Sequence, residues 1–402
     1  METFRDATLR VALFADTFHE ANGVGTLSRH LAEFAQSRDL PFLVVRGGKE
    51  TKFTQNGSLA ILELKRSAAS FPVEKGLTCD PLVARHKKLV MEHLAAFKAD
   101  LVHITAPGDM GFLGLLVAHI LRIPLVASWH TNLHEYLSRR LHRVLNLMPQ
   151  KVRNAASREV EQQTLRGLLR FYQTAQFTLA PNQTMVDLLH ARTGRPAFLM
   201  PHGVDLTEYQ PLPTAMNGDH PFCIGYVGRL TTEKNVRFFP ELDRRLLAAG
   251  ERNYKFLIIG EGGQQRWLKK HLQNAEMPGV LRDGDLAAAY RRMDAFVFPS
   301  RTDTFGLVIL EAMASGVPVI VAPETGLRVG IQNGVSGLLS DDFAVDVQRL
   351  MHNAPLRLAM ACAARKCAAS NSWDTVFEQV YRIYAAGLTV KDDRREKRER
   401  RG

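Results

Sequence analysis

Two carboxylates stand eight residues apart in the segment Pro299–Val319: Asp303, in a polar run ending at Gly306, and Glu311, flanked by Ile309, Leu310, Ala312 and Met313. The pattern reads strand, glycine-containing loop, helix, Gly-Val-Pro turn, strand, so Asp303 falls on the loop and Glu311 inside the helix. A carboxylate among apolar neighbours is costly unless donors satisfy it. The vicinal hydroxyls of a ribose are suitable donors for Glu311, and sugar hydroxyls for Asp303; the plain alternative is an exposed helix face. Upstream, Gly228–Asn235 sets Arg229 and Lys234 directly after the apolar run Cys223–Val227. Cations at the carboxyl end of a buried strand suit the charge that gathers on a departing nucleoside diphosphate. A solvated loop with a surface Glu233–Lys234 pair is the alternative. Gly260–Gly263, carrying Glu261, follows another apolar run. It is either a loop that admits a base or a phosphate, or a helix-entry turn.

The first half carries a sparser set. Asn22–Gly25 follows the apolar run Arg10–Ala15, and Gly23 and Gly25 let backbone N–H groups approach a phosphate at a helix start, or make a tight turn. Position 28 is Ser, so the full G-x-G-x-x-G is absent. His130, in Ser128–Thr131, follows the run Leu125–Ser128 and is either a structural histidine or one at a ligand edge. His134 and Glu135 lie nearby, but not in the H-E-x-x-H order of a zinc site. Asp283 and Asp285 form a literal D-x-D ahead of Leu286–Tyr290, where Asp285 reads as a helix N-cap rather than a metal ligand. No metal ligand set and no glycosidase-like pair of carboxylates is expected.

Elements that would position these residues recur as short apolar runs, each followed by a helical pattern. The runs are Arg10–Ala15, Pro41–Val45, Leu101–Thr105, Leu125–Ser128, Phe177–Ala180, Cys223–Val227, Lys255–Ile259, Ala295–Phe298 and Val317–Val321. Continuous apolar runs mark parallel strands covered on both faces, so the class is α/β with two doubly wound sheets. A chain of 402 residues suits two such domains. The proline-rich stretch Gln210–Pro221 reads as their linker. The expected division is 1–212, 213–370, a closing helix at 371–390 opened by Trp373, and a charged, frayed tail at 391–402.

The net charge of +11 calls for an anionic partner. Nucleic acid is disfavoured because no aromatic stacking platform accompanies the basic residues. The concentration from Arg139 to Arg170, interleaved with Leu141, Leu145, Leu165, Leu168 and Leu169, instead suggests an amphipathic surface for an anionic membrane. No run approaches the roughly 20 apolar residues that span a bilayer. Four scattered cysteines and the lack of a signal-peptide pattern fit a cytoplasmic protein, peripheral at most.

Pro299–Val319 resembles the acidic E-x7-E signature of the retaining glycosyltransferase family 4, and Gly228–Asn235, Pro201–Asp205 and the glycine loop at 260 resemble the same family in matching order. Asp303 departs from the pattern, which usually has Glu there. The resemblance implies the GT-B fold, with two Rossmann-like domains facing across a cleft. It assigns Arg229 and Lys234 to the diphosphate, Glu311 to the ribose, and Asp303 with Phe305, Gly306 and Leu307 to the sugar and phosphate. Gly23 and Gly25 would approach the diphosphate, and His130 the transferred sugar. It implies a nucleotide-sugar co-substrate, no cofactor and no metal. A hexose moves with retention, from GDP-mannose in preference to a UDP-sugar, to a lipid or other hydroxyl acceptor. A sugar-nucleotide epimerase is the alternative on the same fold.

Overall fold

The computed structural model describes residues 9–18, 23–74, 77–130, 150–211, 220–301 and 306–399. The chain divides into two compact units, Met1–Met200 with Phe377–Gly402, and Pro201–Val376.

In the first unit the elements run β1 (Val11–Ala15), α1 (Gly23–Ser37), β2 (Phe42–Gly48), β3 (Lys52–Asn56), β4 (Leu59–Lys65), β5 (Phe71–Glu74), β6 (Leu77–Cys79), α2 (Lys87–Phe97), β7 (Leu101–Ile104), α3 (Asp109–Leu121), β8 (Leu125–Ser128), α4 (Gln150–Gln173), β9 (Phe177–Ala180), α5 (Gln183–Thr193) and β10 (Ala197–Leu199). Among the described residues its main sheet has the order β10-β9-β8-β7-β1-β2-β4-β3. Every pairing is parallel except β3 with β4. All five residues of β1 are fully buried, which is why that run is apolar without alternation. β4 alternates instead, with Ala60, Leu62 and Leu64 buried, and β3 beside it is exposed throughout. The carboxamide oxygen of Asn182 accepts from Met185 N at 3.0 Å and starts α5; Gly194, at φ 67°, ends it.

The second unit runs β11 (Phe222–Val227), α6 (Phe238–Ala248), β12 (Tyr254–Ile259), α7 (Gln265–His271), β13 (Ala275–Gly279), α8 (Asp283–Tyr290), β14 (Ala295–Phe298), α9 (Leu307–Ala314), β15 (Val319–Val321), α10 (Pro323–Val329), β16 (Leu338–Leu339), α11 (Phe343–His352) and α12 (Ala354–Ala369). Its sheet is parallel throughout, in the order β13-β12-β11-β14-β15-β16. Pro201–Asp205 has a structural job here. Gly203 lies so close to Trp373 that an added Cβ would sit 2.6 Å from the indole, and Val204 N donates to Asn371 O at 3.0 Å.

The closing helix α13 (Trp373–Glu399) contributes its first four residues to the second unit and the rest to the first. Phe377, Val380, Tyr381 and Tyr384 are buried, and Phe34 of α1 packs its ring against Phe377 and Tyr381. The helix runs through the stretch expected to be a frayed tail, to Glu399. Lys, Arg and Glu, which make up most of that stretch, are strong helix formers.

Candidate functional site

In each sheet the winding reverses once, and such a reversal opens a ligand crevice beyond the carboxyl ends of the strands. In the second unit it falls between β11 and β14. Arg229 and Lys234 occupy the loop after β11, Gly260 and Glu261 follow β12, and Gly306 and Leu307 open α9 after β14. Asp303 and Phe305 lie outside the described residues. Arg229 is exposed, and the Lys234 ammonium lies 5.8 Å from the ring centre of Phe298, the last residue of β14.

The glycines set how tightly these loops fit. Gly260 has φ 131°, and a Cβ there would lie 2.0 Å from the carbonyl oxygen of Gly228. Backbone bonds fasten the two loops: Leu230 N donates to Glu261 O at 2.8 Å, and Gln264 N to Leu230 O at 2.9 Å. Gly260 and Gly262 therefore admit the backbone of the neighbouring loop. Gly306 caps α9 at φ 65°, with Val329 close behind it.

Glu311, on α9, is partly exposed, and its Oε2 lies 2.8 Å from the hydroxyl of Tyr290. The Tyr209 side chain also favours the ionised carboxylate. Burial pushes Glu311 up to about 7, against the opposing effect of the Tyr290 bond, and neighbouring Glu208 adds to the rise. A carboxylate held this way gains from any further hydroxyl donor that reaches it. Tyr290 and Tyr209 were not visible as site residues, because nothing in their spacing announces a contact with Glu311.

Asp285 corrects an expectation. The helix starts two residues earlier, at Asp283, and the N-cap is Arg282 without a side-chain bond. Asp283 and Asp285 sit in the first turn, where their charge complements the helix dipole. Among the described residues no group of three His, Cys, Asp or Glu gathers as metal ligands would.

In the first unit the reversal falls between β1 and β7. Gly23 and Gly25 are in the first turn of α1, and His130 follows β8, 2% exposed, with Nε2 2.7 Å from Ser128 Oγ. Asp16, immediately after β1, is a residue the sequence reading missed. It accepts from Met110 N at 2.9 Å, and burial beside Asp109 raises its carboxyl well above the usual range. Asp109 accepts from Arg66 at 2.9 Å and from Asp80 N at 2.9 Å. Beside Asp109, Val83, Pro107, Phe112 and Leu116 line an open cavity of about 360 Å³. Phe112, Leu116 and Ile120, one face of α3, are exposed.

Arg139, Arg140, Arg143, Leu141 and Leu145 lie outside the described residues. On α4, Arg158, Arg166 and Arg170 are exposed, but Leu168 and Leu169 are buried in the unit's core and Leu165 packs against it. The leucines expected to form a membrane stripe on this helix serve the core instead. No helix among the described residues is long and apolar enough to cross a membrane.

Comparison with known proteins agrees with this geometry. Residues 216–367 match the family "Glycosyl transferases group 1", and residues 21–208 match "Glycosyltransferase Family 4". The chain is 30% identical over 304 residues to a GDP-mannose-dependent alpha-mannosyltransferase of Mycolicibacterium smegmatis, covering 73% of this chain and 76% of that one. A protein of the same name from Corynebacterium glutamicum is 27% identical over 394 residues, covering 94% of this chain and 89% of its own. In fold, the chain resembles sucrose-phosphate synthase from Thermosynechococcus elongatus with a TM-score of 0.67 at 17% identity, over 95% of this chain and 100% of that one. With two Rossmann-like sheets of the GT-B class and both family matches in register with them, the chain belongs to the group 1, family 4 glycosyltransferases and is a hexosyltransferase that takes its sugar from a nucleotide sugar.

Proposed function

We propose that the chain is a metal-independent, retaining mannosyltransferase that uses GDP-mannose and acts on a lipid acceptor at the cytoplasmic face of an anionic membrane. The observation that carries the donor is the 30% identity to a GDP-mannose-dependent alpha-mannosyltransferase over three quarters of that protein. Arg229 and Lys234 take the diphosphate and stabilise the charge that develops on it as the glycosidic bond breaks, the part a divalent cation plays elsewhere. Glu311 receives the ribose hydroxyls; Gly260 and Glu261 border the nucleoside. Asp303, Phe305, Gly306 and Leu307 hold the sugar and phosphate. Gly23 and Gly25 approach the diphosphate from their own unit, and His130 contacts the sugar. The bond from C1 to the phosphate oxygen breaks as the acceptor oxygen bonds C1 on the same face, and the departing phosphate oxygen takes the acceptor's proton.

Support for a lipid acceptor comes from the exposed face of Phe112, Leu116 and Ile120 above its cavity, with Phe112 in ring contact with Phe171 of α4 at 5.0 Å and exposed Arg170 next along that helix. An apolar face beside arginines gives reversible, salt-sensitive attachment. A thermal-shift panel of GDP-, UDP- and ADP-sugars tests the donor. GDP-mannose alone should stabilise strongly, and transfer with it should survive EDTA and give the α-anomer. Preference for a UDP-sugar, or manganese-dependent activity, would overturn the assignment. The protein should also co-sediment with anionic vesicles at low salt, and Phe112→Ser with Leu116→Ser should weaken that several-fold; equal binding to neutral vesicles would sink the membrane reading.

A further inference from the structure

His130 stands at the end of a chain of hydrogen bonds that no motif announces. Its Nε2 lies 2.7 Å from Ser128 Oγ, which lies 2.9 Å from His103 Nε2, and His103 Nδ1 lies 2.7 Å from the hydroxyl of Tyr384. His103, Ser128 and Tyr384 are fully buried. All four residues belong to the first unit, although Tyr384 follows His103 by 281 positions.

Counting protons sets the direction of the first two bonds, and distance that of the third. Among the described residues His103 Nδ1 is the only hydrogen-bond partner of the Tyr384 hydroxyl. If the hydroxyl accepted there, its own proton would be buried with no acceptor, the costly arrangement. Tyr384 therefore donates and His103 Nδ1 accepts. Burial holds His103 down at about 3, so the ring is neutral at ordinary pH and carries its single proton on Nε2. That N–H donates to Ser128 Oγ. Ser128 must then aim its own proton at His130 Nε2, 2.7 Å away, or at Ile104 O, 3.4 Å away. The shorter contact wins.

We propose that Tyr384, His103 and Ser128 are positioning residues that fix His130 as the neutral Nδ1–H tautomer, so that the group meeting its other ring nitrogen must be a hydrogen-bond acceptor. On the reading given above, that acceptor is an oxygen of the donor sugar, and this part of the inference rests on that reading. A second-tier partner that sets a histidine's tautomer decides whether the ring offers a proton or a lone pair. The closing helix, through one phenol, thus sets the chemistry of a residue at the edge of β8.

The test is 15N NMR of the histidine rings in the full chain, with turnover measured on the same samples. In the wild type, His130 should show a pyrrole-type Nδ1 and a pyridine-type Nε2, and His103 the opposite. Tyr384→Phe keeps the ring but removes the donor. It should mix the tautomers of both histidines and lower kcat roughly fivefold, the worth of one hydrogen bond, with KM little changed. Ser128→Ala should do the same to His130. Val380→Ala, a cavity variant in the same helix, should lower the melting temperature without altering tautomer or kcat. A wild-type His130 protonated on Nε2 overturns the relay, and so does a spectrum unchanged in Tyr384→Phe or equally disturbed in Val380→Ala. If Tyr384→Phe fails to fold, the wild-type spectrum alone decides. The sugar contact is judged separately: full turnover in His130→Ala, with the spectrum still responding to Tyr384→Phe, removes that contact and leaves the relay standing.

Discussion

The two units hold an ionisable side chain of the candidate site by opposite means. In the second, Glu311 is gripped directly by Tyr290 and is partly exposed. In the first, a chain of bonds through Ser128 and His103 joins His130 to Tyr384, with every link buried. Burial acts with opposite sign on the two chemistries, raising an acid to about 7 and holding a base down at about 3. The consequence is a division of temperament. The Glu311 site changes charge near neutrality and answers to whatever donors arrive, whereas the relay around His103 keeps one protonation state across the whole working range.

Breaking the second unit's loop packing should have the largest effect. Gly260→Ala forces a methyl against Gly228 O from a backbone angle of 131°, and overpacking plus strain should cost roughly 3 kcal/mol, seen in chemical denaturation. Gly57→Ala is the first unit's counterpart: its φ of 58° is strained but the space around it is open, so about 1 kcal/mol should be lost. Equal losses would mean that the loop contact does not matter. Next come Arg229→Ala and Lys234→Ala, each expected to weaken the nucleoside diphosphate by about tenfold to a hundredfold in calorimetry. Unchanged affinity in both would remove the proposed clamp.

The comparison is sharpened by pH. The carboxyl of Glu311 is raised from 4.5 to about 7, so the unfolded chain binds fewer protons between these values. Its contribution to stability is present below the lower value and lost as pH rises through the upper one. Donor affinity should run the other way, growing as pH rises through about 7, because hydroxyl donors need the ionised acceptor. Glu311→Gln should flatten that profile. The nucleotide sugar is the right probe, since its phosphates do not titrate in this range. A flat wild-type profile would sink the idea. The smallest effect is Tyr290→Phe: about a fivefold loss of donor affinity, with the midpoint of the profile moved upward. A downward shift would contradict the role given to that hydroxyl.

The parts of the fold that are buried on both faces were the most legible. Runs such as Leu125–Ser128, Phe177–Ala180 and Ala295–Phe298 coincide with β8, β9 and β14, because a strand covered on both faces has little choice but to be apolar. The hairpin of β3 and β4 was missed, since β3 is exposed and polar and only the Asn56-Gly57 pair at its turn announced it. Edge strand β13 contains Pro278 and has no fully buried residue, so it too left no clear signal. Loops after strands could be found from spacing, which is why Arg229, Lys234, Gly260 and His130 were singled out. The groups that tune those residues could not. Tyr290 meets Glu311 from 21 positions away and Tyr384 meets His103 from 281, and no local period encodes such a meeting. His103 itself was a usable clue: a lone polar residue in Leu101–Ile104, a strand with every residue buried.

The closing helix also bears on how the chain comes off the ribosome. Synthesis favours folding from the front, one domain at a time. Yet the first unit needs Phe377, Val380, Tyr381 and Tyr384 against elements such as α1 and β7. The second unit, Pro201–Val376, is a continuous stretch and can finish as soon as it has emerged. The half that is made first is therefore the half that is completed last. Until residue 384 is free, the nascent first unit carries an unfilled groove along α1 and an unanswered His103, a ready foothold for a chaperone and a place where stalled translation would leave sticky surface exposed.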